Sequence, residues 1–555
     1  MTDLREWEIT PDSPYELYLA SDARLSKTSY VNDQSWDILP GSGDQAAIKL
    51  QTQYGNRAGL ASLVPMWNFD DRVIYQTQTY HNPAIITGFA PNRIIVEADI
   101  LPDVHLVADH IVLTSQIIGG IYTLSNNTKK DISVRLDLFG HAIANDEEQK
   151  LALITMANNE GHALSMGKYA RLQPVVLVDG GNSDTINSGN ARPKVGKKVT
   201  VKAGKSQSIR FVHVGLDEIK KSLIEARRWL VADWQPFLDS IEAANEAIPT
   251  IQTGNLDWDL VIAGGYNRVV QAVLRPNGTF PRETFVAARM PEYGYSRSGN
   301  GTDHPRMWQG QMVDTAYMLT TALASIYPAA AEGIVRNYVA LQKKDGFIDL
   351  IPNLGGEHSN VLCTPILARM AWAVYQQTDN INFIQDNFDG LKRFFDYWLQ
   401  QDEDGDGVPE WLDQRQTHYA AFPTFGMGRD WAQGANISRV EAPDLVAYLI
   451  SEADALLKMA DIVKDKSAKN DLNAAHETLS KALDSMWHDD HYAYRDRDSH
   501  VTSNGRVILE EGNGDTEHIL EHALLVPNRL VIKIEGGKRH VPKVTLHIAG
   551  INTEG

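Results

Sequence analysis

Asp314 lies in the run from Trp308 to Leu323, directly after the glycine- and charge-rich segment Ser296 to Arg306. Met312, Ala316, Leu319 and Leu323 recur there at three- and four-residue steps, which predicts a helix with one apolar face. Asp314 falls in its first turns. A helix N-terminus stabilises a carboxylate, whereas nearby aromatic residues desolvate it. Opposed in this way, the two effects can tune a carboxyl for acid work. The same position also suits an aspartate that only satisfies the N–H groups of a helix start.

A second carboxylate-rich run spans 402–413. Asp402, Asp404, Asp406 and Asp413 stand at loop positions 1, 3, 5 and 12, with Gly407 at 6, the oxygen-ligand spacing of a calcium loop. Gly405 and Pro409 equally suit a metal-free turn between helices, so both readings stand. Other groups able to meet a ligand flank these runs. Arg282, Glu283 and Arg306 sit in one long polar segment, 276–307, with Trp308 and Gln311 at its end. Asp430 and Trp431 in a second long segment, 402–440, pair an acceptor with a stacking face, as a sugar requires. Glu441 and Asp444 flank Pro443, where they either cap a helix or hydrogen-bond ligand hydroxyls.

The elements that must position these residues change along the chain. Residues 1–218 read as short β-branched strands with turn clusters between them, predicting an N-terminal β-sandwich. Residues 219–254 read as linker helices. Residues 255–490 are mainly helical, with candidates at 256–274, 311–326, 328–344, 361–377, 381–401, 442–464 and 468–487. The two long polar segments interrupt them, and long structured loops in a compact domain are usually functional. Residues 491–555 read as a partial β module, with strands at 529–534 and 543–548.

Composition narrows the partners. The 555-residue chain carries a net charge of −19, which speaks against nucleic acid and anionic membrane surfaces but not against a neutral carbohydrate. Its one cysteine, Cys363, lies in an apolar stretch and reads as inert core. No apolar signal region opens the chain and no stretch approaches 18 uncharged apolar residues, so the expectation is cytoplasmic. Oligomeric state is not legible. No glycine-rich phosphate loop, zinc-type cluster or nucleophile elbow is present, and no cofactor is expected beyond a structural calcium ion.

The order of motifs resembles the (α/α)6-barrel glycosidases of glycoside hydrolase family 63 and their mannosylglycerate-hydrolase-like relatives. Val313-Asp314-Thr-Ala-Tyr317 is similar to their Trp-Asp-Thr-Ala-Phe motif, Gln342-Lys-Lys-Asp-Gly-Phe-Ile348 to their Gln-x-x-Asp-Gly-x-Ile, and Asp404-Gly-Asp-Gly407 to their Asp-Gly-Asp-Gly. Val440 to Leu449 and Glu452 to Leu456 resemble the helix after their substrate loop. The resemblance covers about 255–490. It implies a sandwich followed by a helical barrel, hydrolysis of an α-linked gluco- or manno-configured glycoside with inversion, and the general-acid role for Asp314. It also implies a glutamate base late in the barrel. Twelve helices are implied and about seven are found, so the barrel reads as partial and the chain as ending inside an inserted β module. Glu410 and Glu441 are the nearest stand-ins for the base. Val313 departs from the motif's tryptophan. A non-catalytic carbohydrate-binding protein and a glycoside phosphorylase, with Arg282 or Arg306 meeting phosphate, are the competing expectations.

Overall fold

The computed structural model describes residues 5–498 apart from 71, 157–160, 181–192, 357–358, 419–435 and 489, together with 500, 517–519, 545, 547, 549 and 550. The chain forms antiparallel sheets followed by helices and divides into two compact units. One comprises Met1–Gln342, Ile348–Asn360 and Met370–Asn387; the other comprises Lys343–Phe347, Val361–Arg369 and Phe388–Gly555.

The first unit opens with two antiparallel sheets. One runs through Trp36–Pro40, Ile48–Thr52, Leu60–Phe69 and Ile132–Ala144; the other through Gln173–Val178, Lys205–Leu216, Ile117–Asn126, Val104–Thr114, Arg93–Leu101 and Asn82–Ala90. Side chains alternate across each strand, so every second residue enters the interior. Leu63, Trp67 and Leu136 from the first sheet meet Leu106, Tyr122 and Phe211 from the second in one buried core. This is the sandwich that the alternation over 1–218 predicts.

The helices α1 (Ile219–Val231) and α2 (Gln235–Asn245) do more than link. Ala226, Trp234, Leu238 and Ile241 pack with Ile111, Val175, Val212 and Val214, which face away from the sandwich interior. Gly119 permits the contact, since a Cβ there would come within 2.3 Å of the Trp234 ring.

Further along lie α3 (Leu256–Ala272), α4 (Val313–Ile326) and α5 (Pro328–Ala340). Asn255 caps α3 by accepting from the N–H groups of Asp257 and Trp258, and Pro328 opens α5 where no N–H is required. Within this unit Arg289 and Asp33 form an ion pair at 2.7 Å with both side chains fully buried.

Next come α6 (Leu367–Thr378), α7 (Ile381–Leu399), the short α8 (Gln414–Thr417), α9 (Pro443–Val463) and α10 (Lys466–Ser485). Each of the seven long helices read from the sequence therefore has a counterpart among the described residues. In the second unit, α9 and α10 pack side by side, α9 burying Leu445, Leu449, Leu456 and Met459. After α10 a hairpin, Trp487–His488 with His491–Tyr492, leads to Arg495–Asp496, which pairs with Val440–Glu441. The strands expected at 529–534 and 543–548 fall, but for residues 545 and 547, outside the described residues. Cys363 is buried, as its apolar neighbours imply. Among the described residues no helix is long and apolar enough to cross a membrane.

Candidate functional site

Asp314 is the second residue of α4, which Met312 enters in an extended conformation without a side-chain cap. The Asp314 carboxylate supplies that function: its Oδ1 accepts the N–H of Thr315 at 2.7 Å. Asp314 and Tyr317 are half-buried on the helix, and Met318 is exposed. A carboxylate thus stands at a helix start with part of its surface open to solvent.

Two residues expected to touch a ligand here are core instead. Trp308 is fully buried. Its indole N–H donates to the Ala288 carbonyl at 2.7 Å, and its ring lies 6.2 Å from that of Tyr30 and 5.2 Å from that of His304. Neither face is available for stacking on a sugar. Gln311 is also fully buried, donating to the Ile334 carbonyl at 3.1 Å and accepting from the Asn337 amide at 3.0 Å. Its polarity serves one main-chain carbonyl and one side-chain amide of α5. Arg306 is exposed in a short 3-10 turn.

Arg282 and Glu283 do meet at a pocket, one of about 360 Å³. Ala329, Glu332, Gly333 and Arg336 of α5 and Asp386 of α7 complete its lining. Arg336 is already paired with Asp386 at 2.7 Å, and Glu332 accepts from the Asn380 amide through both oxygens at 2.9 Å. Asp314, Arg306, Trp308 and Gln311 are not among the lining residues.

The second unit gathers the acidic loop. Asp402 folds the loop on itself, accepting from the N–H of Gly405 at 2.7 Å and of Gly407 at 2.8 Å. Both glycines have positive φ, +76° and +92°, which explains their residue type. Carboxylate oxygens of Asp402, Asp404 and Glu410 lie within 4.8 Å of one another, as do ligand atoms of Asp404, Asp406, Glu441 and His500. Asp413 belongs to neither group. It caps α8, accepting from the Arg415 N–H at 2.9 Å and completing a reciprocal capping box with Gln416. This corrects the calcium-loop reading at position 12: the chain starts a helix there, and Glu410 and the remote Glu441 close on the loop in its place.

Both glutamates are fully buried. Burial pushes the Glu410 carboxyl up to about 8; its Oε2 accepts the Glu403 N–H at 3.2 Å, while the buried Oε1 has no hydrogen-bond partner. Burial raises Glu441 to about 7 against the pull of Arg495, whose Nε donates to it at 2.6 Å. Three carboxylates with a buried, unsatisfied oxygen fit a hard cation, which oxygen ligands alone can hold. Asp444 lies in the first turn of α9, where its Oδ1 accepts the Trp411 indole N–H at 3.4 Å and burial raises its carboxyl above the usual range. Asp430 and Trp431 lie outside the described residues.

Local pattern reading passes over two polar residues. Asn337 is fully buried in α5 and bonds Gln311 and the 282–283 segment. Glu452 is fully buried in α9, and its two oxygens accept the N–H groups of Ala368 at 2.9 Å and Arg369 at 2.8 Å, capping α6 from a distance. The available signal is a polar residue at a core position of an amphipathic helix. Burial raises the Glu452 carboxyl to about 7. The fold therefore holds a proton that the unfolded chain, with an ordinary glutamate, releases near pH 4.5, so this contribution to stability is lost as pH rises through 7. Between pH 5 and 8 the wild-type chain should lose about 2 kcal/mol that Glu452→Gln does not, measured by urea unfolding at the two pH values. Equal pH dependence of the two proteins would refute the assignment.

Residues 351–516 match the family model of the mannosylglycerate hydrolase MGH1-like glycoside hydrolase domain. The acidic loop, Glu441 and Asp444 lie inside the matched segment, and Asp314 lies before it. No curated protein matches the chain. Among solved structures, a bacterial glucoamylase complexed with acarbose is similar at 10% identity and a TM-score of 0.45, over 88% of this chain and 71% of that one. A provisionally assigned kojibiose phosphorylase from the human microbiome is similar at 8% identity and a TM-score of 0.40, over 86% and 71%.

Proposed function

We propose that this protein is a glycoside hydrolase that cleaves an α-linked gluco- or manno-configured glycoside with inversion, and that Asp314 is its general acid. The match of residues 351–516 to a glycoside hydrolase domain carries this reading. The placement of Asp314 supports its role: an acid must reach the leaving oxygen, and Asp314 combines a carboxyl group with partial exposure at a braced helix start. Inversion requires a second carboxylate roughly 6.5–9.5 Å away to activate water. Glu410 and Glu441 are fully buried against the acidic loop, which favours a structural role for both over contact with a reacting water.

The test is proton NMR of the 555-residue chain with methyl α-glucoside and methyl α-mannoside, with and without phosphate. The β-anomer should appear first in phosphate-free buffer. Strict phosphate dependence would make the protein a phosphorylase, and binding without turnover would make it a carbohydrate-binding protein.

We further propose that Asp402, Asp404 and Glu410 hold a hard divalent cation such as calcium, which would neutralise the loop and brace the chain between α7 and α8. Calcium at about 100 times its dissociation constant should then add about 2.7 kcal/mol to stability, and Glu410→Gln should abolish the gain. Thermal unfolding with calcium and with chelator checks this; identical melting curves would rule the site out.

A further inference from the structure

We infer that Asn337 is a positioning residue for Asp314. The inference rests on the proposed acid role of Asp314 and adds to it the group that holds the acid in place. Gln311 precedes Asp314 by three residues, and each of its polar groups is fixed. Its main-chain N–H donates to the Pro352 carbonyl at 3.1 Å, and its own carbonyl accepts the Tyr338 hydroxyl at 2.6 Å. Its amide nitrogen donates to the Ile334 carbonyl at 3.1 Å, and its amide oxygen accepts from Asn337 Nδ2 at 3.0 Å. Gln311, Asn337 and Tyr338 are all fully buried. The chain entering α4 is therefore clamped to three residues of α5, Ile334, Asn337 and Tyr338.

Asn337 does more than close this clamp. Its Oδ1 accepts the N–H of Arg282 at 3.1 Å, and its Nδ2 also donates to the Glu283 carbonyl at 2.8 Å. One amide thus ties the entry to α4 to the segment that lines the Arg282–Glu283 pocket. Only a side chain that donates and accepts fits. An aspartate would set a carboxylate oxygen against the Gln311 amide oxygen and the Glu283 carbonyl; an alanine would leave the Arg282 N–H and both oxygens buried without their partner. A general acid acts only within hydrogen-bond reach of the leaving oxygen, and a displacement of about 1 Å can cost about 100-fold in rate. The clamp acts on that distance and makes no contact with substrate.

A displaced acid has a signature that general loosening of the fold lacks. It slows substrates that need a proton and spares those whose leaving group departs as a stable anion. The experiment measures kcat and KM of wild type, Asn337→Ala and Tyr338→Phe on methyl and 2,4-dinitrophenyl α-glucosides and α-mannosides. Tyr338→Phe removes one hydroxyl from the same clamp without changing the side chain's shape, so it keeps the test open where Asn337→Ala does not fold. The expected result is a loss of about 10- to 100-fold in kcat on the methyl glycoside for Asn337→Ala and a smaller loss for Tyr338→Phe. The dinitrophenyl glycoside should change less than threefold, with KM nearly constant. Equal losses on both substrates, or none in a folded variant, overturn the positioning role. The two readings fail differently. A wild-type chain without turnover removes the enzyme reading and the positioning role with it. Turnover abolished by Asp314→Asn but unchanged in folded Asn337→Ala and Tyr338→Phe removes the positioning role alone.

Discussion

Replacing Arg289 with methionine should destabilise the first unit by about 3–5 kcal/mol, the cost of breaking a buried pair from one side. The Arg289 guanidinium and the Asp33 carboxylate have no exposed surface. Arg289 donates to both Asp33 oxygens, at 2.7 and 2.9 Å, and to the Ser21 carbonyl, the Gln271 carbonyl and the Ser21 hydroxyl. The Ser115 hydroxyl donates to Asp33 as well. Methionine fills most of the volume and satisfies none of these acceptors, leaving a charged carboxylate without its cation. Urea unfolding followed by tryptophan fluorescence measures the loss. Removing Asp33 as well, in Asp33→Leu/Arg289→Met, should recover part of it, because two apolar groups leave no buried charge unpaired. A single variant within 1 kcal/mol of wild type would show that the pair is dispensable.

Asp314→Asn should lower kcat on an unactivated α-glycoside by about 100- to 10,000-fold, the range that one general acid contributes. Stability should hardly change. Asparagine is nearly the same shape, and its side-chain oxygen can still accept the Thr315 N–H that Asp314 now holds at 2.7 Å. Activity and melting temperature are thereby separated in one variant. Turnover within threefold of wild type would remove Asp314 from the chemistry and leave it as the cap of α4.

Much of the architecture is local and so can be read from the chain. Leu319 and Leu323 recur at helical spacing because each must face the same side of α4, and both are buried there. The helix expected at 381–401 is observed as Ile381–Leu399. The helix expected from 361 starts only at Leu367: Pro365 keeps the preceding residue extended, and the N–H groups that α6 leaves free are taken up by Glu452, 84 positions after Ala368. That second condition has no local trace. The position of Asp314 in the first turn of a helix was legible for the same reason as the helix itself.

The ligand-facing set was not legible. Trp308 and Gln311 carry the residue types of a binding site, yet Tyr30, from far earlier in the chain, takes one and Asn337 of α5 takes the other. Asp413 has the spacing of a calcium ligand, yet it starts a helix while Glu441 approaches the loop from a later segment. Sequence by itself determined the order of strands and helices, the acidic loop and the helix-start position of Asp314, because periodicity, turn residues and capping act within a few residues. Only the tertiary structure decided which polar groups are buried and with what they pair, because burial and hydrogen bonding depend on partners tens to hundreds of residues away.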